Sequence, residues 1–272
     1  MSHPLRPIAF VLAASDYGPL IVNRFDRHIN QDGLGYGVGY EILGTSTYAS
    51  EEVALVTGLL GVRRQHFGDG VVAIDCGANI GVHTIEWAKT MTGWGSVLAI
   101  EAQERIFYAL AGNISINNCF NARAIHAAAG GESGIIRIPN PDYLKPASFG
   151  SLELKQRTTN EYIGQKIDYS DESTVPVRCI TLDSLEMNRV DLLKIDVEGM
   201  EIETLSGAEN IIKSFSPIIM VEWIKSRKED LKSIFNRFNY AYFEVGINLL
   251  AIHNSDPSLG HVKSTPSQRA LA

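Results

Sequence analysis

The chain has 272 residues, of which 45% are hydrophobic and 20% are charged, a composition typical of a globular protein with a sizeable core. Its net charge is −7, and no lysine- or arginine-rich run offers the positive surface that a nucleic-acid backbone requires. Its three cysteines form neither a CxxC pair nor a metal-ligand spacing with histidine, which argues against a disulfide framework or a structural zinc site and favours a reducing, cytoplasmic compartment.

Residues 1–70 are expected to form an extension that packs on the domain after it. Two apolar runs, 8–14 and 19–25, flank a turn-like SDYG and predict a β-hairpin in preference to a secretion signal. No run is long enough to cross a membrane, so we expect a soluble protein. Glycines alternate through 33–39, a pattern that we attribute to a flexible loop in preference to close backbone approach. Ser50 is expected to cap the helix that follows it.

From residue 71 onward, strand-like apolar runs alternate with helical periodicity, which is typical of βαβ units and a mainly parallel sheet. Only two residues separate the last two runs, 240–245 and 248–253, so these should pair antiparallel. We therefore expect an α/β domain over 71–254 and a polar tail over 255–272. The other predicted strands are 71–75, 96–101, 122–129, 134–139 on an edge, 175–180, 191–196 and 217–223, and the predicted helices are 80–91, 104–118, 200–214 and 228–238.

The segment 139–175 interrupts this alternation and is rich in proline, serine, threonine and charge. A loop of this length inside a compact domain is either a functional lid or disordered. Ser148 and Ser151 within it, and Asp26 in the extension, are candidate substrate-binding residues. The competing interpretations are turn formation for the serines and a solvated loop position for Asp26.

The most informative motif is IDCGANIGVHT, residues 74–84. Asp75 ends the first strand of the domain, and Gly77 and Gly81 bracket the turn before the next helix. The motif therefore lies at the carboxyl edge of the sheet, where open α/β sheets bind ligands. Glu101 ends the next strand, 24 residues after Gly77, near the spacing at which an acidic side chain accepts hydrogen bonds from ribose hydroxyls. The sequence thus predicts a ligand that contains adenosine.

The same motif argues against a dinucleotide. The middle glycine of G-x-G-x-x-G is replaced by Ala78 and Asn79, and the carboxylate of Asp75 would repel a pyrophosphate. That carboxylate suits the ammonium group of an amino acid, and backbone N–H groups at the helix start suit its carboxylate. A ligand with adenosine at one end and an amino acid at the other is S-adenosylmethionine. A nicotinamide-dependent oxidoreductase is the alternative from another enzyme class, and a non-catalytic cofactor-binding module is a third.

The segments AIDCGANIGVHT, LAIE, LLKIDVEGME and PIIMVEW resemble the FkbM-type family of S-adenosylmethionine-dependent methyltransferases, over roughly residues 70–253. The resemblance implies a Rossmann-like class I methyltransferase fold: a mainly parallel seven-stranded sheet with an antiparallel C-terminal hairpin. It also implies methyl transfer to an oxygen, commonly a hydroxyl of a sugar or secondary metabolite. Gln103 departs from the family, which often has a proline there.

The motif matches and their neighbours supply the candidate site. Asp196 is the first candidate for a base that takes the acceptor's proton, Glu198 is the second, and Lys194 would neutralise these carboxylates or orient the substrate. His83 is as suited to packing as to ligand contact, and Glu201 and Glu203 are expected to be solvated. The candidate cofactor-binding residues are Asp75, Gly77, Ala78, Asn79, Gly81, His83, Thr84, Glu101, Ala102, Ala128 and Asp196.

No second acidic cluster accompanies Asp196 in the sequence, so we expect methyl transfer without a metal. The expected partner is a small hydroxylated acceptor such as a sugar or metabolite, with no nucleic acid and no membrane span. The sequence leaves homo-oligomerisation and the identity of the acceptor open.

Overall fold

The computed structural model describes residues 6–30 and 32–262. Within them the helices are α1 (Val38–Thr45), α2 (Ser50–Phe67), α3 (Val82–Thr90), α4 (Glu104–Ile116), α5 (Glu201–Ser206), α6 (Glu209–Phe215) and α7 (Lys228–Arg237). The strands are β1 (Phe10–Ala13), β2 (Leu20–Asn23), β3 (His28–Ile29), β4 (Gly35–Tyr36), β5 (Val71–Cys76), β6 (Gly95–Glu101), β7 (Ala122–His126), β8 (Ala128–Ala129), β9 (Gly134–Pro139), β10 (Thr174–Ile180), β11 (Leu192–Ile195), β12 (Ile218–Glu222), β13 (Tyr240–Val245) and β14 (Asn248–His253). Short 3₁₀ helices span Phe149–Ser151, Asp171–Ser173, Leu182–Leu185 and Pro257–His261.

A seven-stranded sheet in the order β13–β14–β12–β11–β5–β6–β7 lies at the centre. Strands β12, β11, β5, β6 and β7 run parallel, whereas β14 is antiparallel to both β12 and β13. This confirms the predicted parallel sheet with an antiparallel C-terminal hairpin. The chain runs outward from β5 to one side and from β11 to the other, so their carboxyl ends flank the crevice in which such sheets bind ligands.

The predicted strand 122–129 was wrong in its extent, because the chain divides there between two sheets. Strand β7 ends at His126 on the edge of the main sheet, and β8 pairs with β10 in a separate sheet of order β8–β10–β9. Strand β9 lies on an edge, as predicted, but of this second sheet, where it pairs antiparallel with β10. The chain therefore passes from the main sheet to the second one at Ala127, beside the ligand crevice.

The predicted helix 200–214 is also divided, into α5 and α6. Gly207 ends the first of them, and a Cβ at that position would collide with the carbonyl oxygen of Gly130. Because the two backbones approach so closely, the chain turns at Gly207 and starts a new helix at Glu209. Apolar periodicity alone does not register such a contact, since a glycine is tolerated inside a helical pattern.

The extension begins with the predicted hairpin of β1 and β2, and two of its other predictions were wrong. Glycines 33–39 do not form a flexible loop: β4 and α1 start there, and a Cβ at Gly39 would collide with the carbonyl oxygen of Asn23. Close backbone approach therefore accounts for Gly39. Ser50 is the first residue of α2 and not its cap, which is Ala49 in a left-handed conformation with φ 47°.

Residues 255–262 of the predicted polar tail return onto α2, and 263–272 lie outside the described residues. Asp256 pairs with Arg63 of α2, and Ser258 is fully buried. The segment 139–175 contains two short 3₁₀ helices and a buried Phe149, and part of it lines the cavity described below. Among the helices of the described ranges, none combines the length and hydropathy needed to cross a bilayer.

Candidate active site

A cavity of about 300 Å³ opens at the carboxyl ends of β5, β6, β11 and β12. Parts of the N-terminal extension and of the segment 139–175 complete its walls. The cavity brings together most of the predicted site residues, from three separate parts of the chain. Those in its walls are Asp75, Gly77, Ala78, Asn79, His83, Glu101, Ala102, Ala128, Ser148, Ser151, Lys194, Asp196 and Glu198.

At one end of the cavity, Asp75 presents a carboxylate that is only 1% exposed. Its Oδ2 accepts a hydrogen bond of 2.6 Å from the Thr84 hydroxyl, whereas Oδ1 has no hydrogen-bond partner among the described residues. A buried carboxylate oxygen without a partner is costly, and a ligand ammonium group would satisfy it. Two of the predicted cofactor-binding residues, Thr84 and Gly81, lie outside the cavity wall. Gly77 has φ 77°, and a Cβ there would collide with the carbonyl oxygen of Asp196, so only glycine fits this position.

Next to this end, Glu101 links the first motif to the second strand. Its Oε2 accepts a hydrogen bond of 2.9 Å from the backbone N–H of Asn79, and its Oε1 accepts one of 2.8 Å from the backbone N–H of Gln103. Burial raises the pKa of Glu101 to about 7 despite these donors. Each carboxylate oxygen keeps a lone pair, so the side chain is fixed in place and still able to accept hydrogen bonds from two ribose hydroxyls.

Small side chains border the space beyond Glu101, where Ala102 and Ala128 line the wall. Gln103 is the residue that departs from the family pattern, and its side chain forms hydrogen bonds with the segment 139–175. Its Nε2 donates to the carbonyl oxygen of Phe149 at 2.8 Å, and its Oε1 accepts from the Tyr143 hydroxyl at 3.1 Å. Gln103 therefore ties the start of α4 to the segment that covers the cavity.

The three residues predicted at the substrate have different positions. Ser148 and Ser151 lie in the cavity wall with their hydroxyl oxygens 2.9 Å apart. Asp26 was wrongly assigned to substrate: it lies behind the wall, where its oxygens accept hydrogen bonds from the backbone N–H groups of Gly39 and Phe149. Burial raises its pKa to about 6. Asp26 thus fastens the cover of the cavity to α1.

Beside Asp75, on the neighbouring strand β11, Lys194 is a buried ammonium group among carboxylates. It donates to Asp196 Oδ2 at 2.9 Å and lies 4.0 Å from Glu52 Oε1. Burial opposes its charge, but the surrounding carboxylates outweigh burial and raise its pKa. Burial likewise opposes ionisation of Glu52, but His83 (3.1 Å), Lys194 and a hydrogen bond from Asn248 lower its pKa to about 2. Glu52 was not among the site residues predicted from the sequence.

Glu198 lies in the turn after β11, which ends at Ile195, with a left-handed φ of 54°. It pairs with Lys225, whose Nζ also lies 3.1 Å from Glu161 Oε2 and donates to the carbonyl oxygen of Ser151 at 2.8 Å. Burial raises the pKa of Glu198 well above its usual range. Lys225 therefore joins this carboxylate to the cover of the cavity, a connection that the sequence did not predict.

Glu222, at the end of β12, is the third carboxylate here and was missed in the sequence. The register that pairs Ile195 with Val221 brings Glu222 beside Asp196. Burial, followed by the charge of Asp196, raises the pKa of Glu222 to about 8. One oxygen from each of Asp196, Glu198 and Glu222 lies within 4.8 Å of the others. The acidic cluster that the sequence did not reveal is therefore present in the fold.

Of the two glutamates at the start of α5, one differs from expectation. Glu201 is fully buried, accepts 2.9 Å from the backbone N–H of Gly199 and accepts from the Ser226 hydroxyl, so the prediction of a solvated residue was wrong. Glu203 is partly exposed and lies 3.3 Å from Lys155. The two hydrogen bonds to Glu201 satisfy its buried carboxylate.

Comparison with known proteins agrees with these features. The model of the Methyltransferase FkbM domain matches residues 75–245. Methyltransferase 1 of Beauveria bassiana (strain ARSEF 2860) is 27% identical over 154 residues, which are 53% of this chain and 61% of that relative, so the chain spans about three fifths of its length.

Two solved structures are similar at lower identity. Methyltransferase FkbM from Methylobacillus flagellatus KT has a TM-score of 0.47 and 17% identity, over 68% of this chain and 43% of that one. Precorrin-6y C5,15-methyltransferase from Geobacter metallireducens GS-15 has a TM-score of 0.43 and 14% identity, over 77% of this chain and 89% of that one. Because the family model covers more than half of the residues and includes the motifs of the cavity, the chain belongs to the FkbM methyltransferases, and its cofactor is S-adenosylmethionine.

Proposed function

We propose that the protein transfers the methyl group of S-adenosylmethionine to a hydroxyl oxygen of a small acceptor, of the sugar or metabolite class. One observation carries the proposal: a single cavity contains the orphan carboxylate oxygen of Asp75, the fixed carboxylate of Glu101 and, after the adjacent strand β11, the carboxylates around Asp196. The first two suit the two ends of the cofactor. The third group suits the deprotonation of an acceptor.

The cofactor half of the site follows from complementary groups. Asp75 Oδ1 would accept a hydrogen bond from the ammonium group of the cofactor. Backbone N–H groups at the start of α3 would donate to its carboxylate, and Glu101 would accept from its ribose hydroxyls. Ala102 and Ala128 would border the adenine, for which their small side chains leave space. When bound, the sulfonium supplies a methyl group that is already activated. The chain's contribution is therefore to orient the cofactor and align the acceptor oxygen with it.

The acceptor half needs a group that takes a proton, because an aliphatic hydroxyl does not ionise at neutral pH. A positioned base contributes about 10² to 10⁴ in rate. Asp196 is our first candidate, since Lys194 holds only its Oδ2 and leaves the other oxygen for the acceptor. Glu198 is the second candidate, but Lys225 engages it. Lys194 orients the carboxylate of Asp196 through their hydrogen bond.

The remaining wall of this half supports a hydroxylated acceptor. Tyr36, Glu41, Tyr48 and the two serines bring hydroxyl and carboxylate oxygens to the cavity, and Ile224 and Ile247 at the wall add apolar contact. Several of these residues come from the extension and from the segment 139–175. We infer that these two segments select the acceptor, with Ser148 and Ser151 among the contacting groups.

The experiment is a methyl-transfer assay with isotope-labelled S-adenosylmethionine against a panel of sugars, glycans and hydroxylated metabolites. With the acceptor identified, Asp196→Asn should lower kcat by about 10² or more and change the Kd of S-adenosylhomocysteine by less than about threefold. Glu203→Gln, at the partly exposed position in α5, is the matched control and should leave both unchanged.

Three outcomes would contradict parts of the proposal. Equal turnover by Asp196→Asn would reject Asp196 as the base. Cofactor binding without transfer to any acceptor would favour a non-catalytic module. Tight binding of NAD, with none of S-adenosylhomocysteine, would favour an oxidoreductase. Calorimetry with both ligands separates the last two cases.

A further inference from the structure

The carboxylates of Asp196, Glu198 and Glu222 come from the ends of two neighbouring parallel strands. One oxygen of each lies within 4.8 Å of the others, in the wall of the same cavity. Oxygens on opposite sides of one ion are about 4 Å apart around Mg²⁺ and about 5 Å apart around Ca²⁺. The cluster therefore already has the span of a divalent cation, and small side-chain rotations would fit it to the smaller ions.

Proximity of acidic groups is not sufficient, and Glu222 supplies an independent observation. Its side chain is 6% exposed, it lines the cavity, and its buried Oε2 has no hydrogen-bond partner in the described part of the chain. A buried carboxylate oxygen without a partner costs free energy, which a bound cation removes. The orphan oxygen of Asp75 lies on β5, which β11 separates from the Glu222 strand β12, and a ligand ammonium group that satisfied Asp75 would leave the second orphan oxygen without a partner.

The lysines around the cluster are arranged as supports for metal ligands. Lys194 engages Oδ2 of Asp196, and Lys225 engages Oε2 of Glu198, so each carboxylate retains its other oxygen. Groups that hold the outer atoms of ligating side chains are typical of metal sites. Both ammonium groups are also shared with other carboxylates, Lys194 with Glu52 and Lys225 with Glu161, so acidic groups outnumber basic ones among the described residues around the cluster.

We propose that Asp196, Glu198 and Glu222 bind one divalent cation of the Mg²⁺, Mn²⁺ or Ca²⁺ class at the acceptor end of the cavity. Oxygen-only ligands are those that hard cations select. The role of the ion rests on the proposed methyl transfer: it would orient an acceptor hydroxyl and stabilise the charge that develops on its oxygen, while the second lone pair of the ligating Asp196 oxygen would take the proton. This inference opposes the metal independence expected from the sequence, whose premise was that Asp196 has no acidic neighbours.

Mn²⁺ is the probe, because its electron paramagnetic resonance signal decreases on binding and requires no acceptor. The full chain, saturated with S-adenosylhomocysteine, is titrated with MnCl₂. We expect one Mn²⁺ per chain, displaced by excess Mg²⁺ or Ca²⁺. Glu222→Gln should weaken the Kd for Mn²⁺ at least about tenfold. Glu203→Gln, an acidic residue of α5 outside the cavity wall, is the control and should bind Mn²⁺ as the parent does.

Folding is checked on the same samples by thermal melting and by calorimetry with S-adenosylhomocysteine. Mn²⁺ should raise the Tm of the parent and of Glu203→Gln, but not that of Glu222→Gln. Because glutamine is neutral and nearly the same size as glutamate, we expect Glu222→Gln to fold and to keep its cofactor affinity. Asp196→Asn is the second variant and should lose Mn²⁺ binding as well.

Absence of Mn²⁺ binding up to millimolar concentration in the folded, cofactor-bound protein would overturn the inference, and so would an unchanged Kd in Glu222→Gln. The outcome is distinct from that of the proposed function. Mn²⁺ binding without methyl transfer to any acceptor would reject the function and leave the site. Methyl transfer that persists in EDTA, with no Mn²⁺ bound, would reject the metal site and leave the proposed function.

Discussion

Asp75 and Glu101 lie at the ends of neighbouring strands, and in the proposed function they would face different parts of the cofactor, the first its amino acid and the second its ribose. Asp75→Asn removes the charge opposite the ammonium group, so we expect the Kd of S-adenosylhomocysteine to rise about 10- to 100-fold, the cost of one charge-assisted hydrogen bond. Isothermal calorimetry measures it. Adenosine lacks the amino acid, and its Kd should stay the same in this variant.

Comparing S-adenosylhomocysteine with adenosine in a second variant provides the control for that experiment. Glu101→Gln should weaken adenosine and S-adenosylhomocysteine alike, because both carry the ribose. If Asp75→Asn weakened adenosine as strongly as S-adenosylhomocysteine, the carboxylate would act through the fold of the motif. Thr84, which donates to Asp75 Oδ2, is the nearest route for such an indirect effect.

Glu101 also predicts a pH dependence for adenosine binding. Its pKa is raised from 4.5 to about 7 by burial, so the carboxyl gains a proton as the pH falls through 7. A neutral carboxyl is a poorer acceptor for two hydroxyls. Adenosine affinity should therefore be full at about pH 8 and fall several-fold by about pH 6. In Glu101→Gln it should be lower and flat across this range; an equal slope in that variant would assign the pH dependence to another group.

At the scale of elements, α1 offers a test of why its glycines are there. A Cβ at Gly39 would collide with the carbonyl oxygen of Asn23, whereas one at Gly44 meets nothing within 4 Å. We expect Gly39→Ala to lower the free energy of unfolding by about 1–3 kcal/mol through overpacking. Gly44→Ala, in the same helix, should raise it by about 0.5–1 kcal/mol, because alanine is the better helix former. Urea unfolding measures both.

The sign of the difference between the two variants is the critical result. Stabilisation by both would mean that α1 moves away from β2 without cost, as the flexible loop expected from the sequence would. Because Asp26 accepts the backbone N–H of Gly39, a shifted α1 would also loosen the cover that Asp26 holds. Because the added methyl group at position 39 shifts α1, we expect Gly39→Ala to weaken S-adenosylhomocysteine binding. We expect Gly44→Ala to leave that binding unchanged.

The elements show which features a sequence can predict. The strands β5, β6, β11 and β12 were recognised because each is a short apolar run, and the motif of Asp75 to Thr84 because its spacing is local. Glu222 and Glu52 were missed because their roles depend on the register of β12 and on the packing of α2. The break at Gly207 depends on contact with Gly130, 77 residues earlier in the chain. Contacts between distant segments leave no periodicity to read.

At the scale of the whole molecule, one buried ion-pair network joins three distant parts of the chain. Arg63 of α2 lies 3.1 Å from Asp191, which precedes β11, and pairs with Asp256, which follows β14. All three residues are at most 6% exposed. The network holds the extension against the edge of the sheet opposite the cavity, so it supports the elements that carry Glu52 and Asp196.

Asp256→Ala would leave Arg63 buried with only one of its two carboxylates. Removing one partner of a buried pair is strongly destabilising, so we expect a loss of about 3 kcal/mol in the free energy of unfolding. Asp256→Asn keeps an oxygen for the backbone N–H of Ser258 and should lose less, which separates the charge from the cap. Chemical unfolding followed by circular dichroism measures each variant.

The neighbouring pair of Arg64, also on α2, and Asp69, just after that helix, is the control, since its chemistry is similar but its side chains are 46% and 64% exposed. Solvent screens such a pair, so Asp69→Ala should cost less than about 1 kcal/mol. Similar losses in Asp256→Ala and Asp69→Ala would show that burial adds nothing to the Arg63 network. In that case the segment 255–262 would contribute to stability through Ser258 and its apolar contacts, and the extension would need another attachment to the sheet.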